Sequence, residues 1–129
     1  MRIFLGAALL AGCATTTAEP VNEGNAARLA SLQRTGDKQT CLSIPQISQI
    51  TAVDEKTLLV RSGANNWFVV DLATRCRGVV NAGNRIEYTT SLPQLCRNDI
   101  LRIVDNAGGF LTGSCGMGSF ERLAEKPAE

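Results

Sequence analysis

Apolar and polar positions divide the chain into stretches of different texture. Ile3, Phe4, Leu5, Gly6, Ala7, Ala8, Leu9 and Leu10 form a continuous apolar run. Residues 14–20 (Ala, three Thr, Ala, Glu, Pro) are too poor in large apolar groups to pack and predict a flexible spacer. Over residues 23–34, Ala26, Ala27, Leu29, Ala30 and Leu32 recur at helical spacing, and Gly36 offers a stop, so a short amphipathic helix is expected. Past Cys41 the pattern changes to short β-branched runs bounded by turn residues, which predicts strands.

Pro45 opens an extended segment over residues 45–53, where Ile47, Gln49, Thr51 and Val53 alternate with Ser48, Ile50 and Ala52. Asp54, Glu55 and Lys56 supply a turn, and residues 57–61 a second strand with Leu58 and Val60 on one face. After the small-residue loop 62–66, residues 67–72 are expected to return antiparallel. That strand is nearly continuous in apolar character, which predicts burial on both faces or cover by a helix on one. A helical or turn segment over residues 73–78 carries Cys76, and strict alternation in residues 85–89 turns Ile86 and Tyr88 inward. Residues 99–104, 110–112 and 115–123 complete the set, with Gly113, Gly116 and Gly118 predicting a bulged or curved strand. The expected fold class is mainly β: a small antiparallel β-barrel or two-layer sandwich, OB-like by analogy alone, with a short N-terminal helix.

Arg2 ahead of the apolar run and small residues behind it follow signal-peptide grammar. Ten helical residues rise roughly 15 Å, half of a roughly 30 Å hydrocarbon layer, so removal is expected rather than spanning. Leu10, Ala11, Gly12 and Cys13 resemble the lipobox of bacterial lipoproteins, in which small residues fit a peptidase cleft and the cysteine is lipidated as the new N-terminus. Several acyl chains, at about 0.8 kcal/mol per buried methylene, anchor a protein in effect permanently. The expected organisation is a signal peptide over 1–12, a lipidated N-terminus, linker and helix over 13–40, a disulfide-stapled β domain over 41–123, and a polar tail over 124–129. Ala14 stands where resemblance to enterobacterial lipoproteins associates Asp with inner-membrane retention. The expected location is therefore the cell envelope, facing the periplasm, at the outer membrane in preference to the inner.

Composition narrows the chemistry. With 13 basic and 12 acidic residues, loss of Arg2 leaves the charge balanced, so no charge argument favours nucleic acid. The absence of histidine removes the commonest general base and transition-metal ligand. Cys41, Cys76, Cys96 and Cys115 read as two disulfides in an oxidising compartment. Three pairings are open, and the excursion through residues 85–88 favours Cys76 with Cys96, leaving Cys41 with Cys115. The loop-entropy contributions are roughly 3 and 4 to 4.5 kcal/mol. None lies in a C-x-x-C pair, which disfavours both a thioredoxin-like site and zinc.

Ser114 and Ser119 lack a histidine partner, and the acids Asp54, Glu55, Asp99 and Asp105 read as solvated turn residues rather than hydrolytic pairs. Arg75, Arg77, Arg85, Arg97 and Arg102 are expected on scattered exposed faces. Trp67, with Arg61 and Arg85, is the candidate interface. No catalytic residue, metal site or cofactor is expected.

The joint order of the lipobox with Ile47-Ser48-Gln49-Ile50, Leu58-Leu59-Val60-Arg61, Asp71-Leu72, Cys96-Arg97-Asn98-Asp99 and Cys115-Gly116-Met117-Gly118-Ser119-Phe120 resembles an uncharacterised family of small proteobacterial lipoproteins. The resemblance covers residues 41–123 and implies a location without a known reaction. The expected function is that of a lipid-anchored envelope protein acting as an interaction or structural module. Its expected partners are membrane lipid, through the acylated N-terminus, and an envelope protein. The alternative is a periplasmic module holding a small apolar ligand in a cavity lined by Ile86, Tyr88, Val69 and Ile103.

Overall fold

The computed structural model describes residues 19–127, so Leu10, Ala11, Gly12 and Cys13 lie outside the described residues. Helix α1 (Glu23–Ala30) starts at Asn22, whose side chain accepts the Asn25 N–H at 3.0 Å, a capping bond that satisfies one orphan donor of the first turn. The helix stops at Ala30, short of the expected residue 34, because the next residues pair elsewhere. Strand β1 (Leu32–Gln39) lies at a sheet edge against β10 (Phe120–Glu125).

Between them run β2 (Cys41–Ser43), β3 (Ile47–Asp54), β4 (Thr57–Ser62), β5 (Asn66–Asp71), β6 (Asn84–Tyr88), β7 (Gln94–Cys96), β8 (Ile100–Asp105) and β9 (Leu111–Gly116). They form a five-stranded sheet in the order β1-β10-β5-β4-β3, a two-stranded sheet β2-β7 and a three-stranded sheet β6-β8-β9, all antiparallel. Separate edges at β1 and β3, and at β6 and β9, mean that no barrel closes, and the sandwich alternative describes the architecture. The 73–78 segment is a turn, without the helix that was the other option.

The large sheet buries apolar side chains on both faces, completely on the inner and in part on the outer. Leu58, Val60, Phe68, Val70 and Phe120 point inward against Leu95, Leu101, Ile103, Cys115 and Met117 from the smaller sheets and their links. Phe68 and Phe120 meet edge to face with centroids 6.4 Å apart, a favoured aromatic geometry. On the outer face Val53, Leu59, Val69 and Leu123 pack with Ala26, Leu29, Leu32 and Trp67. The continuous apolar strand 67–72 therefore has both of its expected covers: an opposing layer inside and a helix outside.

Links between elements are fixed by backbone groups and two buried carboxylates. Glu55, at the β3–β4 turn, accepts the Gly78 N–H through Oε2 at 3.1 Å, and its carbonyl accepts the Cys76 N–H at 2.7 Å. A Cβ on Gly113 would collide with the Arg77 carbonyl, and one on Gly118 with that of Asp71, so close backbone approach explains these glycines. The β8–β9 register shifts between Ile103 and Val104, the bulge that the glycine pattern predicted.

The disulfides are Cys41–Cys96 and Cys76–Cys115, correcting the expected Cys76–Cys96 and Cys41–Cys115. Pairing of β2 with β7 sets Cys41 directly opposite Cys96, whereas Cys76 is drawn toward β9 by the loop that Glu55 holds.

Candidate functional site

The outer face of the large sheet carries the most distinctive side-chain constellation. Strand β5 alternates Trp67, Val69 and Asp71 outward, and α1 crosses beside them. The Arg28 guanidinium, in the last turn of α1, lies 4.9 Å from the Trp67 ring centroid, and that of Arg61 lies 5.7 Å from it. Both are cation–π distances. Arg61 is held in place by the β4–β5 turn: Nε and Nη2 donate to the Ala64 carbonyl at 3.0 and 2.7 Å. Leu32, Leu123, Glu125 and Lys126 complete a shallow depression of about 450 Å³ beside the half-buried indole.

Further along the same face, Arg34 joins three strands. Its guanidinium donates to both carboxylate oxygens of Asp71, at 2.6 and 3.0 Å, and to Glu121 Oε1 at 3.0 Å. Glu121 is buried, and its second oxygen accepts the Gly36 N–H at 3.0 Å. Gly36 has φ +78° and lies where the β1 register shifts between Arg34 and Lys38, so a left-handed bulge aims this donor inward. The bond to Asp71 raises the Arg34 pKa further above its already high value, and the same bond lowers that of Asp71. Arg34 and Asp71 therefore both stay charged at neutral pH.

A second feature is the open side of the sandwich. The free edge of β3 faces β6 across a groove of about 430 Å³, lined by Ile47, Ile50, Val80, Ile86 and Tyr88, with Asn25, Asn84 and Arg85 at its margins. The cavity expected from Ile86, Tyr88, Val69 and Ile103 does not form. Val69 belongs to the outer core and Ile103 to the inner one, both fully buried, and only Ile86 and Tyr88 reach the groove.

The other sequence candidates disperse. Asp54 accepts the Lys56 N–H, Asp99 the Cys96 N–H, and Asp105 the Ala107 and Gly108 N–H groups, so these three cap turns, whereas Glu55, expected to be solvated with them, is buried because its carboxylate holds the Gly78 N–H of the 73–78 segment. Arg75 pairs with Glu19 and approaches Glu55 at 3.8 Å; Arg85 pairs with Glu87 and bonds Asn106. Arg97 borders a mixed-charge depression with Lys38, Asp71 and Glu121. The structure thus unites Trp67 with Arg61 and sets Arg85 on β6, away from them. Arg28, Lys126 and the Arg34 triad escaped the sequence reading because each contact depends on the docking of α1, β1 or β10, which no local pattern announces.

Among the described residues no group of three or more His, Cys, Asp or Glu is arranged to hold a metal ion. Among the described residues, fold and site define a mainly β, doubly disulfide-linked sandwich with an α-helix on a mixed apolar and cationic face. The chain belongs to a family of unknown function, DUF6491, whose profile matches residues 1–121. Comparison with curated proteins and with solved structures yields no match.

Proposed function

We propose that the protein is a bacterial lipoprotein, acylated at Cys13 and held in the envelope facing the periplasm, where its β sandwich acts as an interaction or structural module. The outer membrane of a proteobacterium is the preferred site, on the strength of Ala14. The observation that carries this reading is the cysteine arithmetic. Four of the five cysteines pair with one another, as suits an oxidising compartment, and the pairing needs nothing from Cys13, which follows Leu10-Ala11-Gly12. The matched family stretch includes both this motif and all four paired cysteines. A second reading, capture of a small apolar molecule, draws on the β3–β6 groove with its Ile50, Ile86 and Tyr88 lining.

The test is intact-mass and fractionation analysis of the expressed protein beside Cys13→Ser. The expected wild type begins at Cys13, carries acyl mass, sediments with membranes and yields no thiol among its four domain cysteines under denaturing, non-reducing conditions. The variant lacks the acyl mass. A cytosolic wild type with an unprocessed N-terminus and reduced cysteines defeats the proposal.

A further inference from the structure

We infer that the Trp67 patch on the outer sheet face docks against anionic phospholipid headgroups of the bilayer that carries the tether, an inference that rests on the lipoprotein reading above. An indole flanked by guanidiniums suits the headgroup level of a membrane: the ring is amphipathic, and guanidinium meets phosphate in a bidentate fork. Trp67 supplies the ring, Arg28 and Arg61 lie against it, Leu32 and Leu123 form an apolar floor, and Lys126 adds a third cation.

Charge on this face is complementary to such a surface. Ion pairs among the described residues engage Arg34, Arg75 and Arg85, and none engages Arg28, Arg61 or Lys126. Glu125 is the carboxylate lining the depression, while Asp71 and Glu121, further along the same sheet face, share the one guanidinium of Arg34 and leave a single negative charge there, outside the depression. The patch is left with a net positive charge. Arg34, by contrast, is committed to the fold.

Reach is the second argument. The chain enters the sandwich at the β3–β4 turn, where Val21 bridges Asp54 and the Asn22 N–H donates to the Val53 carbonyl at 2.8 Å. From there α1, eight residues and about 12 Å long, crosses the outer face and delivers Arg28 to Trp67. Glu19 is already paired with Arg75, so the lead from Cys13 is residues 14–18, at most about 18 Å in contour. That contour still exceeds the roughly 12 Å that α1 covers on its way to the patch, so the outer face is within reach of the bilayer that carries the tether.

The chain has a single tryptophan, so its emission reports Trp67 alone. Full-length lipidated protein is reconstituted into vesicles of phosphatidylcholine, with or without phosphatidylglycerol, containing a headgroup-spin-labelled lipid as quencher. In anionic vesicles the emission shifts to the blue and is quenched, and both effects fade as salt shortens the roughly 10 Å screening length of 0.1 M. The double variant Arg28→Gln/Lys126→Gln lowers the ratio of docked to undocked Trp67 about 30-fold, and a cooperative thermal melt of the same variant verifies that it is folded although the Lys126 bond to the Ala30 carbonyl and the Arg28 contact with Trp67 are altered. Unchanged emission in anionic vesicles, or equal quenching of wild type and double variant, overturns the docking. Intact mass of the same sample separates the two claims: an acylated chain with unresponsive Trp67 defeats the docking alone, and an unacylated chain defeats the tether beneath it.

Discussion

The two faces of the five-stranded sheet meet the same demand, exclusion of water, by different means. Inward, Leu58, Val60, Val70 and Phe120 are completely buried against side chains from two further sheets, with Cys76–Cys115 set among them. Outward, the cover is one eight-residue helix with no fully buried residue of its own. A helix about 12 Å long cannot roof five strands spaced about 4.8 Å apart. The uncovered part of that face is closed by the Arg34 triad at one side and left as the half-buried Trp67 patch at the other. Stability is concentrated where layers meet; recognition chemistry collects where the roof runs out.

Adjacent leucines on β4 separate the faces most sharply. Leu58 is 0% and Leu59 1% exposed, but they point into the inner and outer cores respectively. Truncation of a buried leucine costs more where the surroundings cannot collapse, so Leu58→Ala is expected to cost about 4 kcal/mol and Leu59→Ala, under a helix free to settle, about 3 kcal/mol. Urea denaturation of the two variants reads the difference. Equal or reversed costs would make the outer core as rigid as the inner. Next in size, Glu121→Gln replaces a carboxylate oxygen that accepts from Gly36 or Arg34 with an amide nitrogen that can only donate. The expected loss is about 2 kcal/mol by the same measurement, because a buried donor is left unmatched. A loss within experimental error would mean that water replaces the bond and that the face is open there too.

How much of this was legible beforehand differs between the faces in the same sense. The inward positions Leu58 and Val60, and the double burial of residues 67–72, follow from apolar periodicity and were readable. Strand β1 was not: Gln33, Arg34, Thr35 and Lys38 show no alternation, and the segment is extended only because β10 offers it a partner. The helix expectation over 23–34 overran for that reason. Disulfide pairing failed likewise, since the opposition of Cys41 and Cys96 is created by long-range β2–β7 pairing. Of the interface candidates, Trp67 and Arg61 share a two-strand register, Trp67 opposite Arg61, that the expected hairpin already implied, while Arg85 belongs to a different sheet.

The smallest expected effect concerns the exposed end of the Arg34 network. Asp71 has a folded-state pKa below its ordinary value of about 3.9, because Arg34 bonds its ionised form. A depressed carboxylate contributes stability that is fully present above the unfolded pKa and is lost as pH falls through the folded one. The Asp71 contribution is thus intact at pH 7 and declines from about pH 5 downward. Its size is modest: the Asp71 side chain is 57% exposed and Arg34 44%, so solvent screening holds the pair to about 1 kcal/mol or less. Asp71→Asn should therefore lower stability slightly at neutral pH and flatten the acid limb of the stability curve, measured by thermal melts between pH 7 and pH 3. Glu121, at 9% side-chain exposure on the same guanidinium, would keep its larger effect in that background. If Asp71→Asn instead matched Glu121→Gln in cost, the outer network would be stabilised from its solvent side rather than from beneath, and the contrast between a dry inner face and a screened outer one would no longer explain it.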